Sequence, residues 1–190
     1  MTRTFIALEM DAEQQHFLAK IIRQGTLLLP DLRWVDPTGI HLTLAFLGEL
    51  NDGQLLSARE ATAHTAALAQ PFTYSLSGLG TFGPARQPRV LWMGVSEPTG
   101  ALHTLHQTLN QALEQRDFMV EKRAFSPHLT LARIKAPLTP AQVQTLQQLL
   151  SDYQFASSIY RVAHLYVMKS ELSGSYPLYT CLQASPFRQA

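Results

Sequence analysis

The sequence has few of the residues that mark several large classes of protein. It has one cysteine in 190 residues, Cys181, so an intramolecular disulfide and a cysteine-rich metal site are both excluded. Neither charge is in excess, because 15 Lys and Arg are balanced by 14 Asp and Glu, giving a formal net charge of +1. Capture of a long polyanion needs a strongly basic face, so this balance argues against such a ligand and leaves open a small anionic ligand or only the end of a nucleic acid.

Long apolar runs and the motifs of metal or nucleotide sites are also missing. The apolar run at positions 5–8 is followed at once by Glu9 and then by Asp11, so it is too short for the core of a signal peptide or for a transmembrane helix. There is no His-Glu-x-x-His pair and no Walker phosphate loop. These absences predict a cytoplasmic protein that makes no contact with membranes and uses no metal or cofactor.

The composition that is present is that of a folded protein. Hydrophobic residues make up 46% of the sequence and charged residues 15%, which is typical of a globular chain. A length of 190 residues allows one domain or two small ones and is enough to bury a sizeable core.

The pentapeptide His-Leu-Thr-Leu-Ala occurs twice, beginning at His41 and again at His128. Each copy is a short apolar run with a β-branched residue, bounded by Gly or Pro, so each is predicted to be a strand. Alternate side chains of a strand point to opposite faces. His41 therefore shares a face with Thr43, and His128 with Thr130, while the leucines face a core.

Predicted helices and strands surround these two motifs in a similar order. The first half is predicted to begin with a strand at 4–8, a helix between Asp11 and Pro30 and a short strand at 32–35. The first His-Thr strand follows, then a helix from Asn51 or Asp52 to about Ala69, and then a strand from Phe72 to a glycine-rich turn at 80–84. The second half is predicted to begin with a strand at 90–95, a helix opened by Pro98 and Thr99, and the second His-Thr strand. A helix opened by Thr139 and Pro140 follows, with Val143, Leu146 and Leu150 buried. Strands at 159–167 and 176–182 end the chain's predicted elements.

A shift of 87 residues relates the two halves without a gap. It takes Phe5 to Trp92, His41 to His128, Asp52 to Thr139 and Phe72 to Ile159. Two copies of so long a period predict two similar lobes. We therefore expect an α+β fold in which residues 1–190 form a single bilobal domain, with two pseudo-symmetric lobes of antiparallel sheet and outer helices around a shared central cleft.

Two imidazoles and two hydroxyls that converge on one cleft suit the hydrolysis of a phosphodiester. Histidine has an unperturbed pKa near ~6.5, so one copy can take a proton from water while the other protonates the leaving oxygen. The hydroxyls of Thr43 and Thr130 can donate hydrogen bonds to the phosphoryl oxygens as charge builds there. A five-membered 2′,3′-cyclic phosphate is strained, so its hydrolysis need not have a metal.

With these residues identified, the sequence resembles the two-histidine phosphoesterases. Residues 41–48, His-Leu-Thr-Leu-Ala-Phe-Leu-Gly, and residues 128–133, His-Leu-Thr-Leu-Ala-Arg, look like the paired His-x-Thr motifs of that superfamily, and residues 5–8 fit its first strand. Within it, the chain is most similar to the bacterial and archaeal RNA 2′,3′-cyclic phosphodiesterases, formerly called 2′-5′ RNA ligases. The resemblance spans nearly the whole chain.

This resemblance implies a partner, a reaction and two roles. The partner is an RNA or oligonucleotide end with a 2′,3′-cyclic phosphate, which is hydrolysed to a 2′-phosphate end without metal. Reversal would join 2′,5′-linked RNA without ATP. In the family that the chain resembles, the first motif supplies the proton donor and the second the acceptor, which implies that His41 is the donor and His128 the acceptor.

Phe46 and Arg133 occupy equivalent places just after the two motifs. They could stack on a base and contact a phosphate, respectively. Strict alternation places them on the face opposite the histidines, so they can serve the site only where the strands bend or bulge. Four further cations flank the predicted cleft strands, and contact with substrate and simple solvation are equally expected for them: Arg86, Arg89, Lys122 and Arg123.

The other histidines have simpler interpretations. His103 and His106 lie three apart on a predicted helix and could in principle bind a metal, but we expect His103 to be exposed and His106 to be partly packed. His16, His64 and His164 have no partner visible in the sequence and are expected at the surface or in the core.

The residues themselves leave other functions open. The same chemistry could act on a small cyclic nucleotide or on a 2′,5′-linked oligonucleotide, because specificity lies in cleft loops whose shape the sequence does not give. A module that binds RNA ends without catalysis is an alternative of a different class. A monomer is the expected oligomeric state.

Overall fold

The computed structural model describes residues 1–153, 156–173 and 176–188, which contain nine strands and four α-helices. The strands are β1 (Thr2–Glu9), β2 (Arg33–Trp34), β3 (His41–Leu50), β4 (Phe72–Phe82), β5 (Val90–Ser96), β6 (His128–Arg133), β7 (Ala156–Val162), β8 (His164–Ser173) and β9 (Tyr176–Pro186). The helices are α1 (Ala12–Leu28), α2 (Asp52–Leu68), α3 (Ala101–Glu114) and α4 (Pro140–Asp152). A 3₁₀ turn at Pro37–Gly39 leads into β3.

Side-chain caps fix where three of the helices begin. The Asp11 carboxylate accepts a hydrogen bond from the backbone N of Gln14 at 2.8 Å, and the Gln14 side chain accepts one from the backbone N of Asp11 at 3.1 Å. Asn51 and Thr139 cap α2 and α4 with the same reciprocal arrangement. The predicted starts of these helices are therefore confirmed, and Asn51 is the cap of α2.

Helix α3 begins slightly later than predicted. Its first residue follows Gly100, whose φ of 83° is a conformation that favours glycine. The Glu97 carboxylate accepts a hydrogen bond from the backbone N of Leu102 at 3.0 Å. Pro98 and Thr99 therefore lie in the turn before the helix.

The strands form two antiparallel sheets, in the orders β3-β1-β8-β9 and β2-β6-β5-β4-β7. Each sheet combines strands from both halves of the sequence. Strand β4 of the first half lies in the sheet of the second motif, while β8 and β9 of the second half lie in the sheet of the first motif. The α+β class with antiparallel sheets is confirmed, and the exchange of strands is a feature that the sequence pattern did not predict.

The single strand predicted at 159–167 is wrong, because this segment forms two strands. Strand β7 ends at Val162 and β8 begins at His164. Strand β7 pairs with β4 while β8 pairs with β1, so the break carries the chain from one sheet to the other. The shift of 87 residues aligns Phe72 of β4 with Ile159 of β7. The strand that occupies the equivalent place in the other sheet is β8, which lies next to β1 as β4 lies next to β5.

Two smaller predictions need correction. Strand β4 continues to Phe82, through the position predicted as a turn at Gly80, where the absence of a Cβ makes room for the indole of Trp92. In α4, Leu146 is buried as predicted, but Val143 and Leu150 are half-buried, and the second buried side chain is that of Leu149.

An apolar core joins the two sheets to the helices. Ile6 and Leu8 of β1 and Leu91 and Met93 of β5 are buried in it. Helix α2 packs on the sheet that contains the first motif, and α4 packs on β4. The opposite face of β1 carries Phe5 in a second apolar cluster, and this face lies beneath the candidate site. In the described part of the chain, no helix is both long enough and apolar enough to span a membrane.

Candidate active site

Both His-x-Thr motifs line one cavity. The cavity has a volume of about 500 Å³ and is lined by residues of both sheets. His41 and Thr43 reach it from β3, and His128 and Thr130 reach it from β6. The structure thus brings together two His-Thr pairs that lie 87 residues apart in the sequence.

The two imidazoles are oriented by the same backbone contact. Nδ1 of His41 lies 2.7 Å from the carbonyl oxygen of Gly39, and Nδ1 of His128 lies 2.8 Å from that of Ser126. A carbonyl oxygen can only accept a hydrogen bond, so Nδ1 carries the proton in both rings. Nε2 of each ring is then the nitrogen that can exchange a proton with a substrate, and this arrangement is repeated in the two motifs.

Aromatic side chains from other strands hold the ring of His41. Phe5 stacks on it with centroids 4.5 Å apart, and Tyr179 contacts it edge-on at 4.9 Å. Burial by these neighbours lowers the pKa of His41, and the hydrogen bond to Gly39 opposes that shift without cancelling it. His41 therefore sits in a fixed and partly dehydrated position.

Two aromatic residues also contact the ring of His128. Phe82 meets it edge-on with centroids 4.7 Å apart, and Trp92 lies at 6.5 Å. Trp92 is in turn packed against the backbone of Gly80, where any larger residue would overlap its indole. Each catalytic candidate thus has its own pair of aromatic neighbours.

A bulge in each motif strand brings Phe46 and Arg133 to the cavity. In β3 the register shifts at Leu44, between Thr43 and Ala45, and in β6 it shifts at Leu131, between Thr130 and Ala132. One extra residue reverses the alternation of the residues that follow, so the side chains after the bulge exchange faces. Two residues that strict alternation placed on the far face line the cavity as a result: Phe46 and Arg133.

Three arginines give the cavity a positive lining. Arg3 lies over the ring of Phe46, 5.1 Å from its centroid, and Arg33 and Arg133 also line the cavity. Among the described lining residues one carboxylate is present, that of Asp36. Burial raises the pKa of Tyr179, and the charges of Arg133 and Arg3 oppose that shift, which places its hydroxyl within the field of both arginines.

Sequence reasoning missed Arg3, Arg33 and Tyr179. Arg3 lies just before the strand predicted at 4–8, whereas β1 begins at Thr2, so extending that strand by two residues would have placed Arg3 on the same face as Phe5. Arg33 and Tyr179 belong to elements whose position beside the motifs depends on sheet order. No local pattern reveals that order.

The remaining candidates lie outside this cavity. Arg86, Arg89, Lys122 and Arg123 are exposed and do not line it, which favours solvation for all four. His103 is exposed and His106 is half-buried against Phe125, as predicted, and the described residues contain no group of three His, Cys, Asp or Glu side chains that could hold a metal. The three other histidines are exposed: His16, His64 and His164.

A second groove of similar size lies elsewhere on the molecule. Its volume is about 560 Å³, and it is lined by residues of α2, β4 and α3 together with Arg161. Its described lining contains no histidine and no carboxylate, so it offers no acid and base for a hydrolytic reaction. The cavity shared by the two motifs is therefore the candidate active site.

Known proteins resemble this chain over nearly its whole length. Residues 22–174 match the family model described as the 2'-5' RNA ligase superfamily. The chain is 32% identical over 182 residues to an RNA 2',3'-cyclic phosphodiesterase of Geobacillus stearothermophilus, which covers 96% of this chain and 56% of that relative. The chain thus spans little more than half the length of this relative.

A second relative and a solved structure match from end to end. An RNA 2',3'-cyclic phosphodiesterase of Methanothermobacter thermautotrophicus is 30% identical over 183 residues, covering 95% of this chain and 96% of the relative. The crystal structure of TT0787 of Thermus thermophilus superposes with a TM-score of 0.79 at 27% identity, covering 98% of both chains. By its sequence and its fold, the chain belongs to the 2′-5′ RNA ligase superfamily.

Proposed function

We propose that this chain hydrolyses RNA ends that carry a 2′,3′-cyclic phosphate and leaves 2′-phosphate ends. The observation that carries the proposal is the placement of both His-x-Thr pairs on one cavity, with Nδ1 of each imidazole bonded to a carbonyl and Nε2 left for the substrate. Two relatives that match most of this chain bear the name RNA 2',3'-cyclic phosphodiesterase, which supports the same substrate class.

In the proposed reaction, one bond forms at phosphorus and one breaks. The oxygen of a water molecule attacks phosphorus while Nε2 of His128 takes a proton from that water. The bond from phosphorus to the 3′ oxygen breaks, and the imidazolium of His41 donates its Nε2 proton to that oxygen. Thr43 and Thr130 donate hydrogen bonds to the phosphoryl oxygens that carry the negative charge.

Strain in the five-membered ring supports a reaction that requires no metal. Ligation follows from the same assignment if the 5′-hydroxyl of a second RNA replaces water. His128 then takes the proton of that hydroxyl, the same bond to the 3′ oxygen breaks, and a 2′,5′ linkage forms. The energy comes from opening the strained ring, so ATP has no role.

Phe46 and Arg133 complete the proposed substrate contacts. Phe46 is 54% exposed at the cavity, so part of its ring can stack on a base while Arg3 lies over it. Arg133 is a cation on the same side of β6 as Thr130, where it can contact a phosphate.

The proposal includes a single bilobal domain over residues 1–190, a monomer and a cytoplasmic location. One chain supplies all the motif residues that line the cavity, which supports activity as a monomer. Light scattering of the active protein tests the oligomeric state. Duplication with a period of about 87 residues is supported by the equivalent bulges at Leu44 and Leu131.

The test is an assay with an oligonucleotide that ends in a 2′,3′-cyclic phosphate, in excess chelator. We expect turnover that added metal does not increase. An absolute requirement for metal would contradict the mechanism, and binding without turnover would favour a module that only captures RNA ends. Values of kcat/KM for the oligonucleotide, a cyclic mononucleotide and a 2′,5′-linked oligonucleotide identify the preferred substrate.

A further inference from the structure

Two arginines lie directly opposite each other at the edge of the second sheet. Arg33 of β2 pairs with Arg133 of β6 in an antiparallel ladder, and both line the cavity. Residues that are directly opposite in such a ladder place their side chains on the same face. The two arginine side chains therefore leave the sheet next to each other on the cavity face, although like charges in this position repel each other.

Strand β2 is fixed so that Arg33 has this position. Its other residue, Trp34, is 6% exposed and its Nε1 donates a hydrogen bond to the carbonyl of Leu29 at 2.9 Å. The indole packs on α1 at Gly25, where a Cβ would overlap it. The backbone N of Val35 donates to the carbonyl of Leu131 at 2.9 Å, which sets the register of β2 on β6. The buried indole of Trp34 and the register of β2 on β6 together determine that Arg33 faces the cavity.

The protein supplies little negative charge near Arg133. Asp36, the carboxylate of the described cavity lining, accepts hydrogen bonds from the backbone N and the hydroxyl of Thr38, at 2.9 and 2.7 Å. Within the described ranges, Arg133 has no carboxylate within 4.0 Å. An anionic ligand in the cavity can therefore supply the charge that balances this arginine.

We infer that Arg33 and Arg133 form a subsite for a second phosphate group, the one attached to the 5′ oxygen of the nucleoside that carries the cyclic phosphate. This inference rests on the proposed function, because the cyclic phosphate must lie among His41, His128 and the threonines. Arg133 follows Thr130 by three residues along β6, a distance of at most about 10 Å, which is within the length of one nucleoside. Guanidinium groups bind phosphate oxygens in pairs of parallel hydrogen bonds, so two arginines suit this ligand.

The subsite selects a class of substrate. A nucleoside 2′,3′-cyclic phosphate with a free 5′-hydroxyl brings no second phosphate to the two arginines. An oligonucleotide end places its last phosphodiester there. The enzyme should therefore prefer oligonucleotide ends to cyclic mononucleosides, even though its net charge of +1 offers no general attraction for RNA.

Four substrates with the same terminal nucleoside test the subsite. Two are 2′,3′-cyclic phosphates of a single nucleoside, one with a 5′-hydroxyl and one with a 5′-phosphate. The other two are dinucleotides with a cyclic end, one joined by a phosphodiester and one by an uncharged methylphosphonate of the same length. We expect kcat/KM for each charged member to exceed that of its neutral partner by roughly 10-fold to 10²-fold, the usual size of a charged hydrogen-bond effect.

Variants connect this preference to the two arginines. In Arg33→Gln and in Arg133→Gln, the charged-to-neutral ratio should fall towards one, whereas Arg123→Gln, at an exposed arginine outside the cavity, should keep it. Each ratio compares two substrates on the same preparation, so partial unfolding of a variant does not change it. A preference for the charged substrate in only one of the two pairs would support the subsite and show whether it binds a terminal or an internal phosphate.

Failure of the subsite and failure of the proposed function give different results. Equal rates for charged and neutral partners in the wild-type enzyme, or a ratio that neither variant changes, would overturn the subsite. Failure to turn over any of the four substrates would instead refute the proposed phosphodiesterase function.

Discussion

The phenyl ring of Phe5 lies on the imidazole of His41, with centroids 4.5 Å apart and the two planes 29° from parallel. Phe5 belongs to β1, the strand that pairs with the first motif strand, and Tyr179 of β9 contacts the same imidazole edge-on. The orientation of His41 therefore depends on two strands outside its own motif. One of them comes from the last part of the chain.

Replacement of Phe5 by leucine should misplace this imidazole without unfolding the protein. We expect Phe5→Leu to lower kcat by about 10-fold to 10²-fold, because small errors of position at a reacting group have effects of this size. Reduced burial should also move the pKa of His41 back up towards its ordinary value. Kinetics and an NMR titration of the His41 ring check both effects. Unchanged kcat would show that the stack has no role in positioning.

The pKa of His41 should respond to substrate. Burial lowers it in the free protein, so the neutral ring is favoured there and stability should fall as the pH drops from about 6.5 through the lowered pKa. A bound phosphate favours the imidazolium and should raise the same pKa. NMR titration with and without a 2′-phosphate nucleotide measures this shift. A pKa that does not rise on binding would contradict the role of His41 as proton donor.

The two histidines can be told apart by a leaving group that needs no proton. In a substrate with sulfur at the 3′ position, the sulfur leaves as a thiolate without protonation. This substrate should restore much of the activity of His41→Ala and little of that of His128→Ala. The measured quantity is the rate of each variant on the thio substrate relative to the oxygen substrate. Rescue of His128→Ala alone, or equal rescue of both, would overturn the assignment of donor and acceptor.

Gly25 should be sensitive to the smallest substitution. A Cβ at this position would overlap the indole of Trp34, and overpacking of a core typically costs about 1–3 kcal/mol. Alanine gains about 1 kcal/mol over glycine within a helix, so the net loss of unfolding free energy should be small to moderate.

Gly53→Ala is the matched control for Gly25→Ala. At Gly53 in α2 the nearest atom to an added Cβ is the Asn51 side-chain oxygen at 3.5 Å, an ordinary contact. We expect this variant to match or exceed the wild-type unfolding free energy in a urea titration. A Gly25→Ala protein that is as stable as Gly53→Ala would show that Trp34 can move without cost.

Local sequence was sufficient for the motif residues and for three of the four helix starts. The caps at Asp11, Asn51 and Thr139 and the two His-Thr strands follow from patterns within a few residues, and the structure has them where they were predicted. The placement of Phe46 and Arg133 was predicted only conditionally, because a bulge depends on how a strand pairs with its neighbour.

What the sequence did not show depends on sheet order. The break at Ala163 separates β7 from β8, and the alternation of buried side chains changes phase there: Tyr160 and Val162 are buried before it, and Leu165 and Val167 after it. The prediction of one strand at 159–167 passed over this change. Arg33 and Tyr179 reach the cavity because β2 lies beside β6 and β9 lies in the sheet of β3. Long-range pairing of this kind has no signature within the short windows from which strands are predicted.

The identity of the product is the most direct test of the central claim that His41 and His128 act together on a 2′,3′-cyclic phosphate. Phosphorus NMR of a reaction in excess chelator should show a 2′-phosphate as the only new end. The rate should fall by roughly 10² to 10⁴ in His41→Ala and in His128→Ala, the usual contribution of a positioned acid or base. A 3′-phosphate product, a mixture of the two, or full activity in either variant would contradict the claim.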